Sequence, residues 1–160
     1  MTPNGVVATV ASAVMLLASC SASPPDLSED ELEQRAVDLL MQLPVDPLDA
    51  DDFEVTVSEV KLDDPYVSAH GVGDDVPAVE MTDSLLARLD ADGFEIRHRR
   101  PIDAHLGYEV LASDGQLVLR AQIGPGIPGS AMYPPLDGGS YVAVQLANIG
   151  GGPGWTDVGR

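Results

Sequence analysis

Residues 107–123 constrain the fold most, because two stretches of alternating apolar and polar residues flank Asp114-Gly115. Alternation with period two puts one side of each stretch in a core and the other toward solvent, so the pair reads as a β-hairpin. A two-residue type I′ turn centred on Asp114-Gly115 sets Ser113 opposite Gln116. In that register Ala112 faces Leu117, Val110 faces Leu119 and Tyr108 faces Ala121 on one side, while Glu109 stands directly opposite Arg120 on the other. The apolar face and the cross-strand ion pair follow from one choice of register and support each other. An exposed pair of this kind contributes only a few tenths to about 1 kcal/mol.

Caps and periodicity mark the other elements. Leu27-Ser28-Glu29-Asp30-Glu31-Leu32 opens a helix with a capping box between Ser28 and Glu31, and Leu27 and Leu32 hold the positions of a hydrophobic staple. Leu32, Ala36, Leu39, Leu40 and Leu43 recur at three and four residues and give one apolar face. Glu29, Asp30, Glu31 and Glu33 crowd the turn where the helix dipole favours negative charge, and the helix ends at Pro44. Residues 53–62 alternate as a strand whose phase slips near Ser58 or Glu59, which calls for a bulge. Asp63-Asp64-Pro65 reads as a turn, residues 66–69 as a short edge strand and residues 71–75 as a second turn. Thr82 reads as the N-cap of a second helix, with an earlier turn from Ala78, and Gly93-Phe94 fits a Schellman ending. Phe94, Ile96 and His98 then point inward against Glu95, Arg97 and Arg99, and residues 140–148 add a last strand with Val142, Val144 and Leu146 inward. Together these predict an α+β fold in which two helices pack on one face of a mostly antiparallel sheet of four to six strands.

The chain ahead of this domain is of another kind. Residues 5–18 are an apolar run broken only by Thr9 and Ser12, shorter than the roughly 20 residues a spanning helix needs, and the Pro24-Pro25 pair follows closely. That is the length of a secretory leader's apolar region. Leu17-Ala18-Ser19-Cys20 places the one cysteine of the chain at the end of the run, and it resembles the lipobox of bacterial lipoproteins. Met1-Thr2-Pro3-Asn4 departs from that family in carrying no Lys or Arg. The resemblance implies cleavage before Cys20, lipid on its sulfur, and a lipid-anchored place on the extracytoplasmic face of the cell membrane. It covers the first 20 residues and implies nothing about the folded part. The expected organisation is a cleaved signal peptide at 1–19, a lipidated N-terminus and tether at 20–27, a single α+β domain at 28–149 and a Gly-rich flexible tail at 150–160. With Cys20 acylated no cysteine remains for a disulfide, so the domain has to stand on packing alone, which its length permits.

Charge narrows the partners. Residues 21–92 hold 20 acidic and 3 basic side chains, whereas residues 93–160 hold 6 and 5. Such an acidic surface argues against nucleic acid and against adsorption on anionic lipid, which leaves the membrane through lipid on Cys20 and an envelope protein as expected partners. Asp49-Ala50-Asp51-Asp52, Asp74-Asp75 and Asp90-Ala91-Asp92-Gly93 lack the full ligand set of a calcium loop. His70 and His105 have no ligand spacing between them, so neither a metal nor a cofactor is expected. Arg97, Arg99 and Arg100 are the candidate anion site, beside a His98 read as a core histidine.

Residues 124–139, with five Gly and four Pro, form a loop long enough to be functional or mobile. Its Gly124-Pro125-Gly126-Ile127-Pro128-Gly129 matches the dinucleotide-binding spacing, but Ser130-Ala131-Met132-Tyr133-Pro134-Pro135 cannot open the helix that the phosphate site requires. The chain has no G-x-S-x-G, H-E-x-x-H or P-loop motif, so no catalytic residue is assigned. A non-catalytic binding or accessory module is the first expectation, a small-ligand carrier or sensor the second and a hydrolase the third. A carrier is marked by a pocket of roughly 300 Å³ or more under residues 124–139. A hydrolase is marked by converging carboxylates or by His98 within reach of one. A partner-binding module is marked by an exposed apolar patch beyond a few hundred Å².

Overall fold

The structure, a computed structural model, describes residues 25–47, 66–102, 107–129, 133–150 and 156. Among these, alternation and capping produce α1 (Glu29–Leu40), β1 (Asp46–Pro47), β2 (Tyr66–Gly73), α2 (Ala78–Ala91), β3 (Glu95–Ile102), β4 (Gly107–Ser113), β5 (Leu117–Gly124) and β6 (Ser140–Asn148). The strands form one six-stranded sheet in the order β1-β2-β6-β5-β4-β3, with every neighbouring pair antiparallel. Both helices pack on one face, where Leu32, Leu39, Met81, Leu85 and Leu89 meet Val110, Leu119, Val144 and Leu146 in a single core. This is the α+β arrangement expected from the sequence.

The helix ends follow their side chains. Ser28 Oγ accepts from the Glu31 N–H at 3.4 Å, and Glu31 Oε2 accepts from the Ser28 N–H at 2.8 Å. Those Ser28 contacts hold the Glu31 carboxyl below its ordinary pKa. The α-helix stops at Leu40, short of Pro44, because the last bonds tighten: Gln42 N–H reaches Leu39 and Leu43 N–H reaches Leu40. At the end of α2, Gly93 has φ +82°, its N–H donates to Asp90 and the Phe94 N–H donates to Leu89, which completes the Schellman motif. Thr82 is not the N-cap. The helix begins at Ala78 after Pro77, and the buried Thr82 hydroxyl donates back to the Ala78 carbonyl at 2.6 Å.

Glycines read as a turn prove to lie inside a strand. β2 runs through Gly71 and Gly73 and pairs along its length with β6, so it is longer than expected, while β1 meets its other side at Gly71 and Val72. A Cβ on Gly71 would stand 2.8 Å from Val45 Cγ2, and one on Gly73 would stand 2.8 Å from Met81 Cε. These glycines serve close packing against the strand rather than chain reversal. The turn falls at Asp74 and Asp75. The strand expected at residues 53–62 lies outside the described residues.

Two registers also differ from expectation. The hairpin pairs Ala112 with Leu119, Val110 with Ala121 and Glu109 with Gln122, a shift of two residues that preserves both faces. The cause is Asp114, whose Oδ1 accepts from the N–H groups of Gln116 at 2.9 Å and Leu117 at 2.7 Å. Asp114 therefore stands before the turn, and Gly115, with φ +94°, takes the first central position as a type II′ turn requires. Asp114→Ala is expected to cost about 1–2 kcal/mol by removing both bonds, with Asp114→Asn retaining most of that stability. A urea midpoint unchanged in the alanine variant would contradict this assignment. In β3 the register shifts between Ile96 and His98, so Ile96 and Arg99 share the helix-facing side while His98 and Arg100 face away. The bulge reverses the expected directions of His98 and Arg99.

The segment before α1 is fastened to the far end of the sheet. Leu27 N–H donates to Asn148 Oδ1, Asn148 Nδ2 donates to the Leu27 carbonyl, both at 2.9 Å, and Gln116 Nε2 donates to the Pro25 carbonyl at 2.7 Å. Past β6, the Gly150 N–H donates to the carbonyl of Thr156, which is fully buried, so this point of the expected tail packs into the protein.

Candidate functional site

The sheet face away from the helices carries a cavity of about 340 Å³. Register explains its floor: Tyr141 pairs with Gly124 and Ala143 with Gln122, while Gly107 pairs with Ile102 across the next strands. Gly107, Gly124 and Ala143 project no more than a methyl group, so the floor is a shallow depression bounded by the longer side chains of His70, Gln122, Gln145 and Ile102. A Cβ on Gly107 would stand 2.1 Å from the Ile123 carbonyl oxygen, so that position admits only glycine.

The roof comes from the long loop after β5. Ile127 N–H donates to the Tyr133 carbonyl and Leu136 N–H to the Pro125 carbonyl, each at 2.7 Å, so the arms of the loop are bonded to one another. Gly126 has φ +106°, and a Cβ there would meet the Pro134 carbonyl oxygen at 2.5 Å. Gly126, Ile127 and Tyr133 line the cavity from this side. The expected loop is thus brought over the sheet, and the rejected dinucleotide spacing supplies a tight crossing of backbones instead of a helix start.

Polar groups in the cavity wall form a connected chain. His70 Nδ1 lies 3.0 Å from the Tyr133 hydroxyl, and His70 Nε2 lies 2.9 Å from Ser68 Oγ. Tyr133 in turn stands edge-on to Tyr141, with ring centroids 5.3 Å apart and planes at 82°. Burial lowers the His70 pKa and raises that of Tyr133, and burial followed by the Asp74 charge raises that of Tyr141. All three are therefore neutral at neutral pH. The Ser68 and His70 contact has the length of a nucleophile and base pair. Yet burial makes this imidazole a weaker base, and its other nitrogen meets a phenol rather than the carboxylate that would stabilise an imidazolium.

Beside the cavity, opposite Gln122, lies an ion cluster that alternation alone had placed at the surface. Glu109 is 4% exposed. Its Oε2 accepts from Arg120 Nη2 at 2.6 Å and from Nε at 2.9 Å, while its Oε1 meets Arg100 Nη2 at 2.5 Å and His98 Nε2 at 3.2 Å. Arg120 reaches Glu109 diagonally, since its direct partner across the hairpin is Leu111. Burial pushes the Glu109 carboxyl up, but Arg120, His98 and Arg100 together outweigh it and hold the pKa below the ordinary value. His98 is thus within reach of a carboxylate, as a hydrolase would require. A carboxylate clamped by two guanidiniums is a poor general base, so the contact reads as ion pairing.

The three arginines of the candidate anion site do not converge. Arg97 meets Glu95 at 3.0 Å and donates to Ser113 Oγ at 2.9 Å, whereas Arg100 joins Glu109. Arg99 turns to the helix side, where it meets Asp83 at 3.2 Å and lies 4.9 Å from the centre of the Tyr108 ring. Each arginine therefore already faces a carboxylate. Cys20 lies outside the described residues, as does His105. Among the described residues, no three His, Cys, Asp or Glu side chains come together as metal ligands would.

Sequence reasoning singled out the loop but not the residues beneath it. His70 falls in an expected loop between a short strand and a turn, and Gln122 and Gln145 sit at positions that look like a solvated face. The usable signal was the pairing of small residues, Gly124 and Ala143, with a long loop that departs from Gly124. No protein-family model, curated protein or solved structure matches this chain.

Proposed function

We propose that this chain is an extracytoplasmic lipoprotein, tethered through Cys20, whose domain carries or senses a small ligand in the cavity lined by Gly126, Ile127 and Tyr133 of the long loop. The observation that carries the reading is the cavity itself, about 340 Å³ between a rigid sheet floor and a loop roof. That volume lies at the small end of the range for ligand pockets, and the lining is concave, mainly apolar and furnished with a few polar groups. Among the described residues the exposed large apolar side chains are Val37 and Met41 on α1 and its end, Val79 on α2, Ile96 on β3 and Ile127 on the loop. The bonded loop arms and the His70–Tyr133 contact supply a roof that can close over a ligand without reordering the sheet.

A panel of three bicyclic probes tests this reading: 2-naphthol, 2-naphthoate and 2-naphthylmethylammonium, followed by naphthyl fluorescence. The protein is the full chain carrying Cys20→Ser, so that no detergent competes for the probe. At least one probe is expected to bind saturably at one per chain. Ala143→Trp, which fills the floor, should weaken that binding at least about tenfold while the circular dichroism and melting temperature stay unchanged. Silence from all three probes, or equal binding to Ala143→Trp, rejects the cavity as a ligand site.

A further inference from the structure

We propose that the cavity selects a small, flat, uncharged ring compound, a choice that rests on the ligand-binding reading above. Its lining contains His70, Gln122, Gln145, Tyr133 and Tyr141 as polar members, and the remaining positions are Gly, Ala and Ile. Among the described residues, none that lines the cavity is Asp, Glu, Lys or Arg. An ion that entered would lose water and find no opposite charge, which is far more costly than burying a neutral polar group that two amides and two phenols can meet.

Of the neighbouring charges, Asp74 acts on Tyr141 but is itself exposed to water and outside the lining. The floor continues from Gln122 to Glu109, but that carboxylate is held between Arg120 and Arg100 and is 4% exposed. Arg100 and Arg120 are correspondingly committed to Glu109, so an anion at the rim would compete with that carboxylate for them. The chain's formal charge of −18 favours cations at long range, although this field is screened by salt within about a Debye length.

Shape adds the planar requirement. Gly107, Gly124 and Ala143 leave a flat stretch of sheet as the floor, Tyr133 lies on the roof side, and Tyr141 stands at 82° to it as an end wall. A flat ring can lie along the floor with its edge toward Gln122 and Gln145. The loop over this floor has its arms bonded through Ile127 and Leu136, which limits how far it can rise to admit a bulkier, branched molecule.

The three naphthyl probes share one ring system and differ in charge, so their order tests the class. At pH 7, 2-naphthol is expected to bind at least about tenfold more tightly than either ion. Ala143→Asp, which places a carboxylate in the floor, should reverse the order of 2-naphthol and the ammonium probe without moving the circular dichroism. An ammonium preference in the unaltered cavity would mark a cation site at the tyrosines, and a naphthoate preference would mark recruitment by Arg100. Either outcome overturns the uncharged class, as do equal affinities for all three, while leaving the cavity as a binding site. Binding of none of the three rejects the cavity itself.

Discussion

Glu109→Gln is expected to lower the unfolding free energy by about 2–4 kcal/mol. The substitution keeps shape and removes one charge, so Arg120 and Arg100 are left facing each other across a neutral amide. Removing one partner of a fully buried pair costs more, but Arg120 and Arg100 are 29% and 64% exposed and regain some hydration. At about 3 °C for each kcal/mol in a chain of this size, the melting temperature should fall by roughly 6–12 °C. Because the Glu109 pKa is depressed in the folded protein, its contribution is present above the unfolded carboxyl value of about 4.3 and is lost as pH falls through the folded value. The wild type should therefore lose stability below about pH 4.5, and the gap between wild type and Glu109→Gln should close in the same window. Reversing the pair, Glu109→Arg with Arg120→Glu, should not restore stability, since position 109 also faces Arg100 and His98. Full recovery in that double variant would show an isolated pair, as the direct opposition of Glu109 and Arg120 in the sequence reading implied.

Cys20→Ser is expected to move the protein out of the lipid-anchored pool almost completely. Among the described residues no helix is long and apolar enough to cross a membrane, and the acidic surface is repelled by anionic headgroups. Each buried methylene contributes about 0.8 kcal/mol, one acyl chain holds a membrane only marginally, and two or more on one residue hold it stably. Wild type should resist a salt wash and enter the detergent phase. The serine variant should be either released or retained as a larger unprocessed precursor, with the domain's melting temperature unchanged. Wild-type protein that washes off with salt, or a serine variant processed and retained like wild type, removes the lipoprotein reading.

Local chemistry explains which parts of this fold were legible. The capping box at Ser28 and Glu31 and the Schellman ending at Gly93-Phe94 use neighbouring residues, and both occur as read. The strand at residues 140–148 was legible for the same reason, since β6 alternates without interruption. Gly71 and Gly73 misled because a glycine that lets α1 and α2 approach looks, in sequence, like a glycine that turns the chain. The hairpin shifted because two strand registers give the same faces and only the Asp114 side chain decides between them. In β3 a one-residue bulge was enough to exchange the sides of His98 and Arg99. The cavity was half legible: its roof is contiguous and conspicuous, whereas its floor is assembled by long-range pairing that no local pattern reports.

The bonds from Asn148 to Leu27 and from Gln116 to Pro25 make the base of the sheet a pivot. On the proposed lipoprotein reading, the leash from Cys20 to Pro25 spans at most roughly 17 Å. From Asn148 back to Tyr141, β6 climbs about 23 Å at 3.3 Å per residue, so the cavity sits at the other end of the strands from the leash. A solute in the surrounding water meets that end directly, whereas one dissolved in lipid must first leave the bilayer and cross the height of the sheet. On the proposed reading, the clamp that secures the start of α1 would therefore favour the aqueous phase as the source of whatever the cavity holds.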